Sequence, residues 1–139
     1  MTQGQLLDAW TDKRSTGTFH RLRGPRLEEF EWRGRHLGHN SSYAMVRFQC
    51  SPGDELTLAA RTDWPANLTS AYCDDLIRAI GYGIVEGLLY DLYPYRGCTV
   101  ILIGVGWDDV MSSELAFYRP AKATMEEFRG RREDWELVG

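Results

Sequence analysis

The first half of the chain alternates between apolar and polar positions, which is the period of a β-strand. The clearest alternation covers residues 43–50, where every second side chain is apolar. A turn sequence, Pro52-Gly53-Asp54, follows it, and residues 56–60 then resume the alternation. Successive side chains of a strand point to opposite faces of a sheet, so this pattern predicts a hairpin with one buried face. Residues 18–32 alternate less regularly and predict one or two further strands around a turn at Gly24-Pro25.

The second half of the chain carries two stretches with the period of a helix. Residues 69–89 and 112–128 place apolar side chains at helical spacing, and Thr69 or Asn67 and Ser112 or Ser113 provide their caps. The segment between them, residues 98–105, is apolar almost throughout, which is typical of a buried central strand. Pro120 lies inside the second predicted helix and lacks a backbone donor, so we expect that helix to bend or stop there.

This order of elements predicts an α+β fold. The economical arrangement is a two-layer sandwich, in which a four- to five-stranded sheet carries both helices on one face. We expect residues 18–130 to form this domain, with an N-terminal arm at 1–17 and a C-terminal tail at 131–139. A chain of 139 residues with 43% hydrophobic residues can bury a sufficient core without disulfides or bound metal.

Glycines interrupt the first predicted helix, and each destabilises a helix by about 1 kcal/mol relative to alanine. Gly83 and Gly87 share one stripe of that helix with Leu76 and Ile80. We interpret the stripe as a close approach that lets the helix lie low on the sheet. A ligand lying along the stripe is the alternative.

The composition predicts a cytoplasmic protein with no membrane partner. Cys50, Cys73 and Cys98 lie in apolar surroundings, which is typical of free thiols in a reducing compartment. No apolar run approaches the roughly 20 residues that a bilayer requires. The first residues, with Asp8 and Asp12, lack the apolar core of a signal peptide.

The net charge of −4 is distributed unevenly along the chain. Between Lys13 and Arg35, seven Lys or Arg residues stand against three Glu, whereas ten Asp or Glu residues stand against three Arg between Asp54 and Glu114. A basic edge can face phosphate, but a mainly acidic body repels nucleic acid at long range.

The sequence contains no constellation that predicts catalysis, a metal site or a cofactor. It lacks a Gly-x4-Gly-Lys-Ser/Thr loop, so we expect no nucleotide binding. His36 and His39 have no further soft ligands beside them, and a solvated loop explains them more simply than a metal. Ser112 and Ser113 have no base nearby and are interpreted as helix caps.

Residues 109–117, which read Asp-Val-Met-Ser-Ser-Glu-Leu-Ala-Phe, are similar to the signature that opens the last helix of domain IV of elongation factor G. That family reads acidic-Val-Asp-Ser-Ser-Glu-Met/Leu-Ala-Phe. The glycine-bearing helix, the strand at 95–105 and the stretch at 38–48 follow the family's order, so the resemblance covers about residues 33–128. It implies a ribosomal protein S5 domain-2-like fold with a left-handed crossover, carried by a domain that stands alone without the GTPase.

The resemblance also implies where RNA would be contacted, because in the family this domain is the tip that enters the ribosomal decoding site. The first tip loop resembles Arg33–Ser42 and the second resembles Gly104–Met111. The family commonly places histidine in the second loop, where this chain has acidic residues that repel phosphate. We therefore expect RNA contact through the first loop and not through the second. The candidate RNA-binding residues are Arg33, Arg35, His36, His39 and neighbouring Arg47. The counterparts of the second tip loop are Trp107, Asp108 and Asp109.

Two classes of function remain open from the sequence. The first is a non-enzymatic module that binds the ribosome or another structured RNA, which the resemblance and the Arg/His loop favour. The alternative is a protein-binding or self-associating accessory domain unrelated to translation, which the acidic body and the altered second loop favour. An enzyme is a distant third, because this fold hosts catalysis elsewhere and fold does not fix function.

Overall fold

The structure is a computed structural model that describes residues 17–35, 41–109 and 112–139. For residues 32–35, 41 and 42 it describes the backbone. These parts of the chain form an α+β two-layer sandwich, as predicted, with a four-stranded sheet, a separate two-stranded sheet and two α-helices. The strands are β1 (Phe19–Leu22), β2 (Arg26–Arg35), β3 (Ser41–Pro52), β4 (Thr57–Ala60), β5 (Cys98–Gly106) and β6 (Trp135–Val138); the helices are α1 (Ser70–Leu89) and α2 (Glu114–Gly130).

The four-stranded sheet has the order β2-β3-β5-β4. The predicted hairpin between β3 and β4 is therefore wrong, because β5 lies between them. β3 runs antiparallel to β5, with Phe48 opposite Leu102, and β4 runs parallel to β5, with Leu58 opposite Val100. A continuously apolar strand gains most from burial when it is flanked on both sides. The alternation in β3 and β4 specifies which face is buried, but it does not specify the neighbouring strand.

Both helices begin at the predicted positions. The Thr69 Oγ1 accepts a hydrogen bond from the Tyr72 N–H at 3.1 Å, and the Ser113 Oγ accepts one from the Ala116 N–H at 3.2 Å. Such caps satisfy backbone donors that lack a partner within the helix. The helices share one core with the alternate apolar side chains of β3 and β5, which leaves the other face of the sheet half-buried or exposed. Among the described residues, no helix is long and apolar enough to cross a membrane.

The glycine stripe of α1 faces the second helix and not the sheet, which corrects the predicted partner of the close approach. A Cβ atom at Gly87 would lie 2.5 Å from the Met125 Cβ. A Cβ atom at Gly83 would lie 2.7 Å from the carbonyl oxygen of Tyr118. Helix α2 therefore fills the stripe, so the alternative of a ligand along it is not needed to explain these glycines.

Helix α2 continues through Pro120 to Gly130, so it does not stop at the proline; the bend that the sequence also allows there stays a prediction. Pro120 and Ala121 are buried, and the Thr124 hydroxyl donates to the Pro120 carbonyl at 2.6 Å. The proline removes one ladder bond, but the apolar face of the helix remains buried from Ala116 to Phe128. Tertiary packing of such a face supplies most of a helix's stability, and here it outweighs the lost bond.

Residues 131–139, predicted as a tail, instead belong to the fold. A short 3-10 helix at Arg132–Asp134 leads into β6, which pairs antiparallel with β1 in the two-stranded sheet. The Trp135 side chain is buried, and its Nε1 donates to the carbonyl oxygen of Phe128 at 3.1 Å. Four-residue strands carry too little alternation to be recognised, and the partner of β6 lies at the far end of the sequence.

The two-stranded sheet contains a histidine whose protonation should affect stability. The ring of His20 stacks on the ring of Tyr95, with centroids 4.0 Å apart and planes 7° apart. Burial lowers the pKa of His20 below its usual 6.5; Asp91 opposes this shift and Arg132 adds to it. The folded state therefore favours the neutral ring.

We expect the fold to lose stability as the pH falls below 6.5, because the unfolded chain then binds a proton more readily than folded His20. The contribution is fully present above the unfolded pKa and is lost as the pH falls through the folded pKa. His20→Phe keeps an aromatic ring that cannot be protonated. Urea unfolding at several pH values gives the free energy of unfolding at each pH. Below pH 6.5 this free energy should fall less steeply in the variant than in the wild type, and an equally steep fall would refute the assignment.

Candidate RNA interface

One end of the four-stranded sheet brings together the two segments that resemble the family's tip loops. In the β2–β3 register, Arg33 lies opposite Tyr43 and Arg35 lies opposite Ser41. The Ser112 Oγ, in the segment before α2, donates to the carbonyl oxygen of Tyr43 at 2.7 Å. The two segments are therefore adjacent in space. We call this end of the sheet, formed by residues 33–35, 41–45 and 104–109, the tip.

The first segment is less of a loop than predicted. Strand β2 continues through Arg33 and Arg35, which places their backbones in the sheet. His36 and His39 lie outside the described residues. The two arginine positions are thus fixed by strand pairing, and rigid elements position binding groups more accurately than loops do.

Arg47 lies apart from the other cationic candidates. It is four residues beyond Tyr43 along β3, which corresponds to about 13 Å at the rise of a strand. Its Nε and Nη2 contact the Glu29 Oε2 at 2.6 and 2.5 Å. A guanidinium paired with a carboxylate is a weaker ligand for phosphate, since the carboxylate competes for the same donors.

The second segment is held in place by its own side chains. The Trp107 ring stacks on Phe117 at 5.9 Å and meets Tyr72 edge-on at 6.1 Å. The Trp107 Nε1 donates to the Asp109 Oδ1 at 2.8 Å, and the Asn67 Nδ2 donates to the same oxygen at 3.2 Å. These two hydrogen bonds, the first more than the second, lower the pKa of Asp109 below its usual value. Trp107 and Asp109 therefore anchor the segment to the start of α1.

Ser112 connects the two segments of the tip. Its hydroxyl oxygen accepts the Asp108 N–H at 2.8 Å while donating to Tyr43, and its own N–H donates to the Asp108 carbonyl at 3.0 Å. Ser113, and not Ser112, caps α2. The sequence predicted that one of the two serines caps the helix; the other joins the end of β5 to the beginning of β3.

The face of the sheet that points away from the helices adds an aromatic ring to the tip. A Cβ atom at Gly106 would lie 2.6 Å from the Tyr43 hydroxyl and 2.8 Å from the Met45 Cβ. The Tyr43 side chain therefore extends over the backbone of Gly106, next to the position of Arg33. Sequence reasoning missed Tyr43, although its place on the polar side of the alternating strand was the available signal. Half-exposed aromatic rings beside cations are typical surfaces for stacking RNA bases.

The buried thiols are structural. Cys50, Cys73 and Cys98 are free, and two of them, Cys50 and Cys98, are buried in the core. Burial raises the pKa of Cys50 to about 12 and raises that of Cys98 well above its usual value. A thiol that stays protonated is neither a nucleophile nor a metal ligand. Within the described ranges, no group of three or more His, Cys, Asp or Glu side chains could hold a metal ion.

An open cavity of about 370 Å³ lies beside the tip, between the end of β4 and the start of α1. Its lining is mainly apolar, with Trp64 and Ile77, and Asp74 adds an acidic group. A carboxylate in the lining disfavours phosphate, so this cavity is not a candidate phosphate site.

Comparisons with known proteins bear on the fold. No protein family model matches the chain, and no curated protein sequence matches it. A solved structure that matches is the crystal structure of the Thermus thermophilus protein ttk003000868, with a TM-score of 0.61 and 20% identity. The match covers 79% of this chain but 16% of that chain. At this identity the likeness establishes a shared fold alone: this chain is similar in fold to a small part of a longer Thermus protein.

Proposed function

We propose that this chain is a non-enzymatic domain, similar to domain IV of elongation factor G, that binds structured RNA through the tip. The ribosome or another RNA–protein assembly is the proposed partner. The observation that carries the proposal is the hydrogen bond from Ser112 to the Tyr43 carbonyl, which joins the two segments that resemble the family's RNA-contacting loops.

The order of elements supports the proposal. The domain follows the sequence β2-β3-β4-α1-β5-α2, with β4 and β5 parallel across α1. This is the order that the resemblance implies for the S5 domain-2-like fold, whose left-handed crossover stays a prediction. In the Thermus protein the matching part is a small fraction of a longer chain, which suits a fold that also occurs as one domain of a larger factor.

The distribution of charge within the tip favours one segment over the other. Arg33 and Arg35 add two cations at alternate positions of β2, on either side of Gly34. On the other segment, the Asp109 carboxylate already accepts hydrogen bonds from Trp107 and Asn67. Guanidinium groups bind phosphate bidentately, whereas carboxylates repel it, so the RNA backbone should follow β2 and avoid the acidic segment. Tyr43, between them, is positioned to stack on an unpaired base.

We expect replacement of Arg33 and Arg35 by glutamate to weaken RNA binding at least about tenfold, because each phosphate contact contributes about −0.7 to −0.9 to the slope of log K against log salt concentration. The measurement is a fluorescence anisotropy titration of a labelled RNA hairpin at several salt concentrations. The slope of log K against log salt concentration should be shallower by about 1.5 in the variant than in the wild type.

Two matched controls make this experiment specific. Asp108→Ala with Asp109→Asn removes charge from the other segment but keeps an oxygen that can accept from Trp107 and Asn67, so it should leave affinity unchanged or raise it. Arg47→Gln removes a cation that is already paired with Glu29. It should therefore weaken RNA binding less than the replacement of Arg33 and Arg35 does. A loss from Arg47→Gln in proportion to its change in charge would indicate general electrostatic attraction. No loss from the Arg33 and Arg35 variant would reject the tip as the RNA interface.

A specific observation favours the alternative, a protein-binding accessory domain. At the end of the domain that carries β1 and β6, Leu92, Tyr93 and Leu137 are 81%, 41% and 56% exposed. The His20 ring, in the position opposite Leu137, lies 6.4 Å from the Tyr93 ring, so these side chains are close together. Exposed apolar clusters are typical of protein contacts. If the wild type binds no RNA at low salt, this surface becomes the candidate interface.

A further inference from the structure

Strand β2 is the edge of the four-stranded sheet, and it is long. It contains ten residues, and in the described parts of the chain it pairs with β3 alone. The beginning of β2 contacts the segment that follows α2 through two ion pairs: Arg26 contacts Asp134 at 2.7 Å, and Glu28 pairs with Arg131. The later part, residues 29–35, lies beyond these contacts. A long edge strand presents backbone donors and acceptors to a further strand.

The charges along this part of β2 are arranged in a way that suits self-pairing. Glu29 and Glu31 are followed by Arg33 and Arg35, and these alternate positions share one face of the sheet. If two copies of β2 pair antiparallel about a two-fold axis at Trp32, Glu29 faces Arg35 and Glu31 faces Arg33. The symmetry repeats both pairs, which gives complementary charges at every charged position of that face.

Neighbouring registers lack this complementarity. A two-fold axis at Glu31 places that residue opposite its own copy, and an axis at Arg33 does the same for the arginine. An axis at Phe30 places Glu29 opposite Glu31. Like charges directly opposite one another destabilise a strand pair, whereas opposite charges stabilise it. The charge order therefore selects one register.

We propose that the chain forms a symmetric dimer in which β2 pairs with β2 of a second copy about Trp32, joining the two four-stranded sheets. The Glu29–Arg47 contact is compatible with this pairing, because both arginine nitrogens contact the same oxygen, Oε2. The pairing engages Arg33 and Arg35, which are also the proposed RNA contacts, so dimer formation and RNA binding should compete for these two side chains. The dimer itself does not rest on the RNA proposal, since it requires the edge strand and its charges alone.

The test is sedimentation velocity of the full chain over a range of protein concentrations, in low salt and without RNA. The wild type should shift from monomer to dimer as concentration rises. Glu31→Arg and Arg33→Glu each place like charges opposite one another and should be monomeric at concentrations where the wild type is dimeric. Circular dichroism and urea unfolding establish that each variant is folded.

Charge exchange then tests the register. When the two single variants are mixed, a heterodimer sets two arginines of one copy, at positions 31 and 33, opposite two glutamates of the other copy at the same positions. The mixture should therefore associate although neither variant does so alone. The double variant E31R/R33E should likewise recover the dimer.

A wild type that stays monomeric at all concentrations would overturn the proposal, and so would single variants that associate as strongly as the wild type. Because RNA is absent, neither result depends on RNA binding.

Discussion

Trp135→Ala should destabilise the protein by about 3–5 kcal/mol, the usual cost of removing a fully packed aromatic side chain. The indole is 4% exposed, lies 4.9 Å from the Phe128 ring and 5.0 Å from the Tyr95 ring, and donates to the Phe128 carbonyl. Its removal would leave a cavity where β6 meets α2. The small sheet would then lose its main attachment to the core.

The midpoint of urea unfolding measures this change, because a lower midpoint with an unchanged slope reports lost stability. Leu137→Ala is the matched control, since Leu137 lies on the same strand and is 56% exposed. It should change the free energy of unfolding by less than about 0.5 kcal/mol. If both variants unfold at the same midpoint as the wild type, the C-terminal strand contributes nothing to the fold, as a tail would.

Gly87→Ala should destabilise the fold by about 3 kcal/mol, at the upper end of the usual cost of overpacking a core. The added Cβ would lie 2.5 Å from the Met125 Cβ and 3.0 Å from the Lys122 carbonyl oxygen. Neither contact is relieved by rotating a side chain, so the two helices must move apart. The same substitution at a solvent-exposed helical glycine would stabilise the helix.

Gly130→Ala provides that comparison. Gly130 is the last residue of α2, and nothing lies within 4 Å of an added Cβ atom. It should be neutral or stabilising by up to about 1 kcal/mol. Thermal and urea unfolding of both variants test the helix contact, and a Gly87→Ala variant as stable as Gly130→Ala would contradict the close packing of α1 on α2.

The sequence predicts local features of this fold better than it predicts their partners. Alternation identifies the buried face of β3, and glycine spacing identifies a close approach on α1. Neither pattern says what lies opposite, which is why the predicted hairpin and the predicted partner of the glycine stripe differ from the structure. The effect of Pro120 on α2 is smaller than the sequence predicts for a related reason, since the local cost of the proline is offset by burial of the whole helix face.

In the candidate interface, too, the sequence predicts local features but not which residues meet in space. Arg33 and Arg35 stand out in the sequence because cations cluster there. The pairing of Arg47 with Glu29, eighteen residues earlier, depends on the β2–β3 register, which composition does not supply. The packing of Tyr43 over Gly106 depends on the pairing of β3 with β5, between segments far apart in the chain.

The claim that the tip binds structured RNA is tested by co-sedimentation with ribosomes. Purified protein is mixed with ribosomes at low and moderate salt and separated through a sucrose cushion. The wild type should pellet with ribosomes at low salt and leave the pellet as salt rises, because phosphate contacts weaken steeply with ionic strength. The variant with Arg33 and Arg35 replaced by glutamate should stay in the supernatant, and the Asp108 and Asp109 variant should pellet like the wild type. A wild type that stays in the supernatant at low salt, or an arginine variant that pellets equally well, would contradict the claim.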